Sequence, residues 1–168
     1  MTAMPRPLPH QPRMQLAFRH DWGRDLRLLI SRIAGAPVHV CTLYDDACYD
    51  VPFSGMRRIT RADRFAKGDW EVVMVPPRYI TTLGMALAEQ RIGWRYDWAG
   101  AAYAWWLGRP AGRGSAERVF CSEQAADELL ANGVPLRYRR AARYTPRLLR
   151  DELVERLGWP SVRLERAA

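Results

Sequence analysis

The stretch VFCSEQAADELLANG, residues 119–133, constrains this chain more than any other. A short apolar run ends at Phe120, and a helical pattern starts at once. Ala125, Ala126, Leu129 and Leu130 share one face, and Asn132-Gly133 is a strong C-terminal stop. Cys121 therefore sits at or just before the first turn of a helix. Unpaired backbone N–H groups and the positive end of the helix dipole favour a thiolate there. The same N–H groups could bind the oxyanion formed when the sulfur attacks a carbonyl. Against this, Glu123 in the first turn would oppose ionisation if it pointed at the thiol, and free cysteines are among the most buried residue types. The local pattern leaves both readings of Cys121 open, nucleophile and small core residue.

With 168 residues, 48% of them hydrophobic, the chain should form one compact domain with a full core. A Pro-rich leader, residues 1–14, is expected to be loosely attached, and residues 15–168 make up the single domain. The formal charge of +8 comes from 26 Lys and Arg against 18 Asp and Glu, almost all the cations being Arg. Such a surface suits nucleic acid, a membrane surface or a cell-wall polymer, and it also suits an arginine-rich proteome. The N-terminus lacks an uninterrupted apolar core of the signal-peptide kind, and no segment is apolar enough to cross a bilayer. The expectation is a soluble chain made in the cytosol. Three cysteines, Cys41, Cys48 and Cys121, are an odd count that argues against a disulfide framework.

The first expected helix is DWGRDLRLLISRIAG, with Leu26, Leu29, Ile30 and Ile33 on one face and Gly35 at its end. PVHVCTLY and CYDVPF, separated by Asp45 and Asp46, read as a β-hairpin, and WEVVMVP as a further strand. The basic stretch SGMRRITRADRFAKGD reads as a connection. The second half is helical: residues 80–92 with Ile80, Leu83, Leu87 and Ile92 on one face, an aromatic-rich helix from Asp97, the helix at Cys121, and a last one with Thr145 as N-cap and Pro146 at the first position. A Gly/Arg-rich loop, residues 108–118, precedes Cys121. Three strands following one helix, then helices, make an α+β chain.

A nucleophilic cysteine needs a base. His10 falls in the leader and His20 in a polar stretch ahead of the first helix. His39 lies inside an expected strand. With an even hairpin turn, residues 39, 41 and 43 share a face with 48, 50 and 52. Asp50 then stands opposite Cys41 and diagonal to His39, where its carboxylate can orient the imidazole. The plainer readings are a hydrogen-bonded histidine on a half-buried strand and a solvent-facing aspartate. The same face offers zinc-type ligands in His39, Cys41, Cys48 and Cys121, but H-x-C-x6-C is not a knuckle spacing and no C-x-x-C pair exists. No cofactor is implied. Trp94, Trp98, Trp105 and Trp106 could form a sugar-stacking groove, although aromatic crowding is more often core packing. RYRRAARY, residues 137–144, interleaves Arg and Tyr as a nucleic-acid surface would, yet reads more simply as a solvated basic loop.

RIGWRYDWAG followed by RVFCSEQAADELLANG resembles the pattern of the NlpC-like papain-fold cysteine peptidases and amidases, in which the Cys opens the central helix. Here the histidine strand precedes the cysteine, which looks like the circularly permuted branch with the YiiX/YebB-like and phage-encoded enzymes. The resemblance spans roughly residues 24–153, and its specific part is His39, the YDW box and FCSE. It implies a permuted papain-like fold, with a small antiparallel sheet packed against helices. It also implies Cys121 as nucleophile, His39 as base, Asp50 as the best-placed orienting residue, and Tyr96 as a residue lining the site. The activity implied is thiolate attack on an amide, first of all in a peptidoglycan peptide. Thioester or lipid-ester chemistry is an alternative, as is a non-catalytic assembly module such as a phage tail component, partnered by virion proteins. Without a signal sequence, a wall enzyme would need phage lysis, virion assembly or dedicated secretion as its route out.

Overall fold

The computed structural model describes residues 13–20, 37–66, 68–107 and 117–164. The expected helix at 21–35 and the loop at 108–116 lie outside the described residues.

Period-two alternation builds the main sheet. In Met14–Arg19 (β1), Met14, Leu16 and Phe18 enter one hydrophobic cluster and Ala17 enters another. β2 (His39–Tyr44) and β3 (Ala47–Asp50) form the expected hairpin. Its two-residue turn is Asp45-Asp46, and Asp45 takes the positive φ of 51° that tight hairpin turns favour. β4 (Arg57–Thr60), β5 (Trp70–Met74) and β8 (Ser161–Leu164) complete six antiparallel strands in the order β4-β3-β2-β1-β5-β8. β6 (Arg95–Tyr96) and β7 (Arg118–Val119) make a separate parallel pair.

The helices are α1 (Arg61–Phe65), α2 (Thr82–Gln90), α3 (Trp98–Leu107), α4 (Cys121–Ala131) and α5 (Pro146–Asp151), the last continued by a wider turn over Glu152–Arg156. The chain is thus α+β, with an antiparallel sheet packed against helices. Helix α4 is the central one. Its Ala125, Ala126 and Leu129 pack with Leu16, Phe18, Val40, Tyr44 and Tyr49 of the sheet, and each large apolar side chain buried in this way contributes about 1.5–3 kcal/mol. The opposite sheet face holds a smaller cluster of Ala17, Cys41, Leu43, Cys48, Trp70 and Val72, against which Phe65 of α1 packs.

Three departures from the sequence reading matter. β1 was not expected as a strand, yet it is central, and Met14 at the edge of the supposed leader is only 1% exposed. The basic stretch 54–69 contains β4 and α1. Helix α2 buries Gly84 and Ala88, while Leu83 is 62% and Ile92 42% exposed. The small residues win that face because the helix approaches closely: a Cβ on Gly84 would stand 2.6 Å from both Tyr44 Oη and Asn132 Nδ2.

Candidate active site

Cys121 is the first residue of α4, after an extended Phe120. The first intrahelical bond runs from Gln124 N–H to the Phe120 carbonyl, so the N–H groups of Cys121, Ser122 and Glu123 lie ahead of the ladder. Glu123 folds back on the helix start, its Oε2 accepting from Phe120 N–H at 3.4 Å. Burial, then the nearby Asp127, pushes the Glu123 carboxyl up to about 7. Its opposition to a thiolate therefore weakens below neutral pH. Ser122 is fully buried and donates to the Tyr144 carbonyl at 2.6 Å, tying the start of α4 to the segment beyond it.

His39 opens β2, at the strand end where its ring reaches both Asp50 and Cys121. Its Nε2 lies 2.7 Å from Asp50 Oδ1. Cys121 lies close enough to act on the same ring. Burial alone would depress the imidazole. The charges of Cys121 and Asp50, with the Asp50 hydrogen bond, outweigh it and raise His39 from 6.5 to about 9. The hairpin register supplies this contact: Thr42 pairs with Tyr49, so Cys41 and Asp50 come next in line, as expected from the sequence.

Asp50 is not a solvent-facing charge: it is 0% exposed. Burial would raise its carboxyl, but the His39 ring and two guanidiniums hold it down at about 2. Arg57 Nη2 is 3.4 Å from Oδ2, and Arg64 Nη2 is 3.3 Å from Oδ1. Neither arginine was foreseen. The available signal was T-x-x-D at residues 60–63, a helix-start pattern in which Thr60 Oγ1 accepts from Asp63 N–H at 3.1 Å.

Tyr96 is 6% exposed. Burial, then the charges of Cys121 and Asp97, drives its hydroxyl well above the ordinary value and keeps it protonated. Its ring meets Phe53 edge-on at 5.1 Å and lies 4.8 Å from Trp98. Trp98 is 46% exposed and stacks on Phe53 at 4.3 Å, so part of the expected tryptophan crowd forms a wall next to Tyr96. Asp97 caps α3, its Oδ1 accepting from Gly100 N–H at 2.9 Å.

The remaining candidates stand apart. His20 Nε2 lies 2.9 Å from Glu71 Oε2, in a cluster where Arg150 grips the same carboxylate at 3.1 Å. That binds β5 to α5 and to the residue that follows β1, and gives His20 a structural partner. His10 is outside the described residues. Cys41 and Cys48 are buried together on the sheet face away from α4. Among the described residues, no group of three or more His, Cys, Asp or Glu side chains is arranged to hold a metal ion. No helix among them is long and apolar enough to cross a membrane.

The structure thus brings Cys121, His39, Asp50 and Tyr96 into one neighbourhood, and adds Arg57 and Arg64 behind the carboxylate. No family model, curated protein or solved structure matches the chain.

Proposed function

We propose that the protein is a cysteine hydrolase with a permuted papain-like arrangement, acting on amide bonds. The observation that carries this reading is the series Cys121, His39, Asp50: a thiol at a helix start, an imidazole close enough to feel its charge, and a buried carboxylate 2.7 Å from the ring's Nε2. In such a series His39 takes the thiol proton, and the sulfur adds to the substrate carbonyl to give a tetrahedral oxyanion. The leading N–H groups of α4 are suited to bind that oxygen. As the intermediate collapses, the imidazolium proton passes to the leaving amine and a thioester remains on Cys121. Water, deprotonated by His39, then hydrolyses it and restores the thiol. Asp50 fixes the ring and stabilises its charged form, and Tyr96, close enough to feel the charge of Cys121, is the residue assigned to positioning the carbonyl.

The substrate class proposed first is a peptidoglycan peptide, which also suits the net charge of +8. One observation favours the non-catalytic assembly module instead: Cys121 is only 2% exposed. The deciding assay incubates the full chain with peptidoglycan stem peptides and follows amide cleavage by mass spectrometry, beside thioester and lipid-ester substrates. Cleavage lost by about a thousandfold or more in both Cys121→Ala and His39→Ala supports the hydrolase. Preference for the thioester or ester moves the substrate class. If no substrate turns over and Cys121 of the folded chain also resists iodoacetamide, the assembly module is the better reading.

A further inference from the structure

Arg64 is an unusual side chain for a five-residue surface helix. Helix α1 buries none of its residues, yet Arg64 turns inward and is only 14% exposed. Its guanidinium lies 4.6 Å from the centre of the buried Trp70 ring and reaches the wholly buried Asp50. Desolvating a guanidinium is costly, and a carboxylate partner together with an aromatic face offsets that cost. Arg57 meets the other carboxylate oxygen from β4, but it is 51% exposed, so water screens its charge more strongly.

We propose that Arg64 is a positioning residue for the Cys121–His39 pair, holding the Asp50 carboxylate fixed and charged against the imidazole. The proposal rests on the hydrolase reading of the site and deepens it. The geometry assigns the order Arg64, Asp50, His39, Cys121, running from the far face of the sheet to the start of α4. Other titratable groups face this chain, and the Nε of Arg64 is buried without a hydrogen-bond partner among the described residues. Cys41 of β2 lies beside Arg64, and Cys48 of β3 beside Cys41. Arg57 of β4 flanks Asp50, and Tyr96 stands near Cys121. Burial pushes Cys41 up, but the Cys48 thiol and the Arg64 charge leave it below the ordinary thiol value. Asp50 is the carboxylate within ion-pair distance of the guanidinium, at 3.3 Å. Without Arg64, Asp50 takes up a proton more readily and the imidazolium loses support, so the thiolate of Cys121 appears at higher pH.

The test is the pH profile of Cys121 alkylation by iodoacetamide in the full chain, with Cys41 and Cys48 resolved by mass spectrometry. Four further proteins are compared with the wild type: Arg64→Met, Arg64→Lys, His39→Ala, and Arg64→Met combined with His39→Ala. The expected result is an upward move of the midpoint by about one pH unit in Arg64→Met, a tenfold loss of thiolate at a fixed acidic pH. Arg64→Lys, which keeps the charge but loses the planar fork, moves less. On the His39→Ala background, Arg64→Met moves nothing. A residue serving only to hold the fold would change thermal stability and leave the midpoint in place, which overturns the proposal. An equal shift with and without His39 also overturns it, by showing a general field effect. If wild type and His39→Ala share one midpoint, the dyad itself fails and takes this inference with it. A shifted wild-type dyad with an unmoved Arg64→Met sinks the inference alone. Should Arg64→Met not fold, Arg64→Lys carries the comparison.

Discussion

Two carboxylates, Asp50 and Glu128, are wholly buried on opposite sides of the same hairpin and end in opposite charge states at neutral pH. Asp50 faces the His39 imidazole and the guanidiniums of Arg64 and Arg57, and is held at about 2. Glu128 projects from α4 toward the hydroxyls of Thr42 and Tyr44, and accepts from Gln124 Nε2 at 2.9 Å. Its hydrogen-bonding neighbours are neutral, and Arg91, whose charge acts on it only weakly, is engaged by Asp127 at 2.8 Å and Gln124 Oε1 at 2.9 Å. Burial therefore prevails and pushes Glu128 up to about 8. Equal burial gives a fixed anion where cations converge and a neutral acid where only dipoles do. The first arrangement can steer a proton between other groups; the second serves packing.

The largest expected effect comes from removing the anion. Asp50→Ala leaves Arg64 and His39 partly buried without their carboxylate, and should cost about 3–5 kcal/mol in urea unfolding. A loss below about 1 kcal/mol would break the contrast, because the ion cluster would then not be a fixed part of the fold.

A smaller, pH-dependent effect is expected of Glu128. Its folded value of about 8 lies above the ordinary carboxyl value of 4.5, so the folded state binds the extra proton between them. Stability then falls as pH rises through that window, by on the order of a few kcal/mol. His39 adds its own decline, since its contribution is complete below 6.5 and is lost as pH rises through about 9. Glu128→Gln isolates the first term: the difference between variant and wild type should grow in the variant's favour from pH 5 to 8. A constant difference across that range would mean that Glu128 is charged after all.

The smallest effect gives the scale for an uncharged buried contact. Ser122→Ala deletes the 2.6 Å hydrogen bond to the Tyr144 carbonyl and should lower stability by about 1–3 kcal/mol, read as a modest fall in Tm. A cost matching that of Asp50→Ala would show that charge is not what distinguishes the two regions.

Much of this was legible in the residues. The stop at Asn132-Gly133 and the break at Phe120 give α4 its limits, and the two-residue Asp45-Asp46 turn brings Asp50 to the face of His39. Thr145 caps α5 as expected, accepting from Leu148 N–H at 3.1 Å. β1 was overlooked because MQLAFR is only six residues long and follows a proline-rich run, although its alternation is regular. Helix α2 was assigned its larger residues as the buried face, whereas close approach to Tyr44 and Asn132 selects the small ones.

Local pattern determined the hairpin register, the helix that begins at Cys121 and the strand that carries His39, because turns, caps and side-chain period act over a few residues. The tertiary structure alone decided that Arg64 and Arg57 turn toward Asp50 while Arg91 is engaged away from Glu128. Whether a buried carboxylate keeps its charge depends on which distant cations reach it. That is a property of packing, which local sequence pattern does not encode.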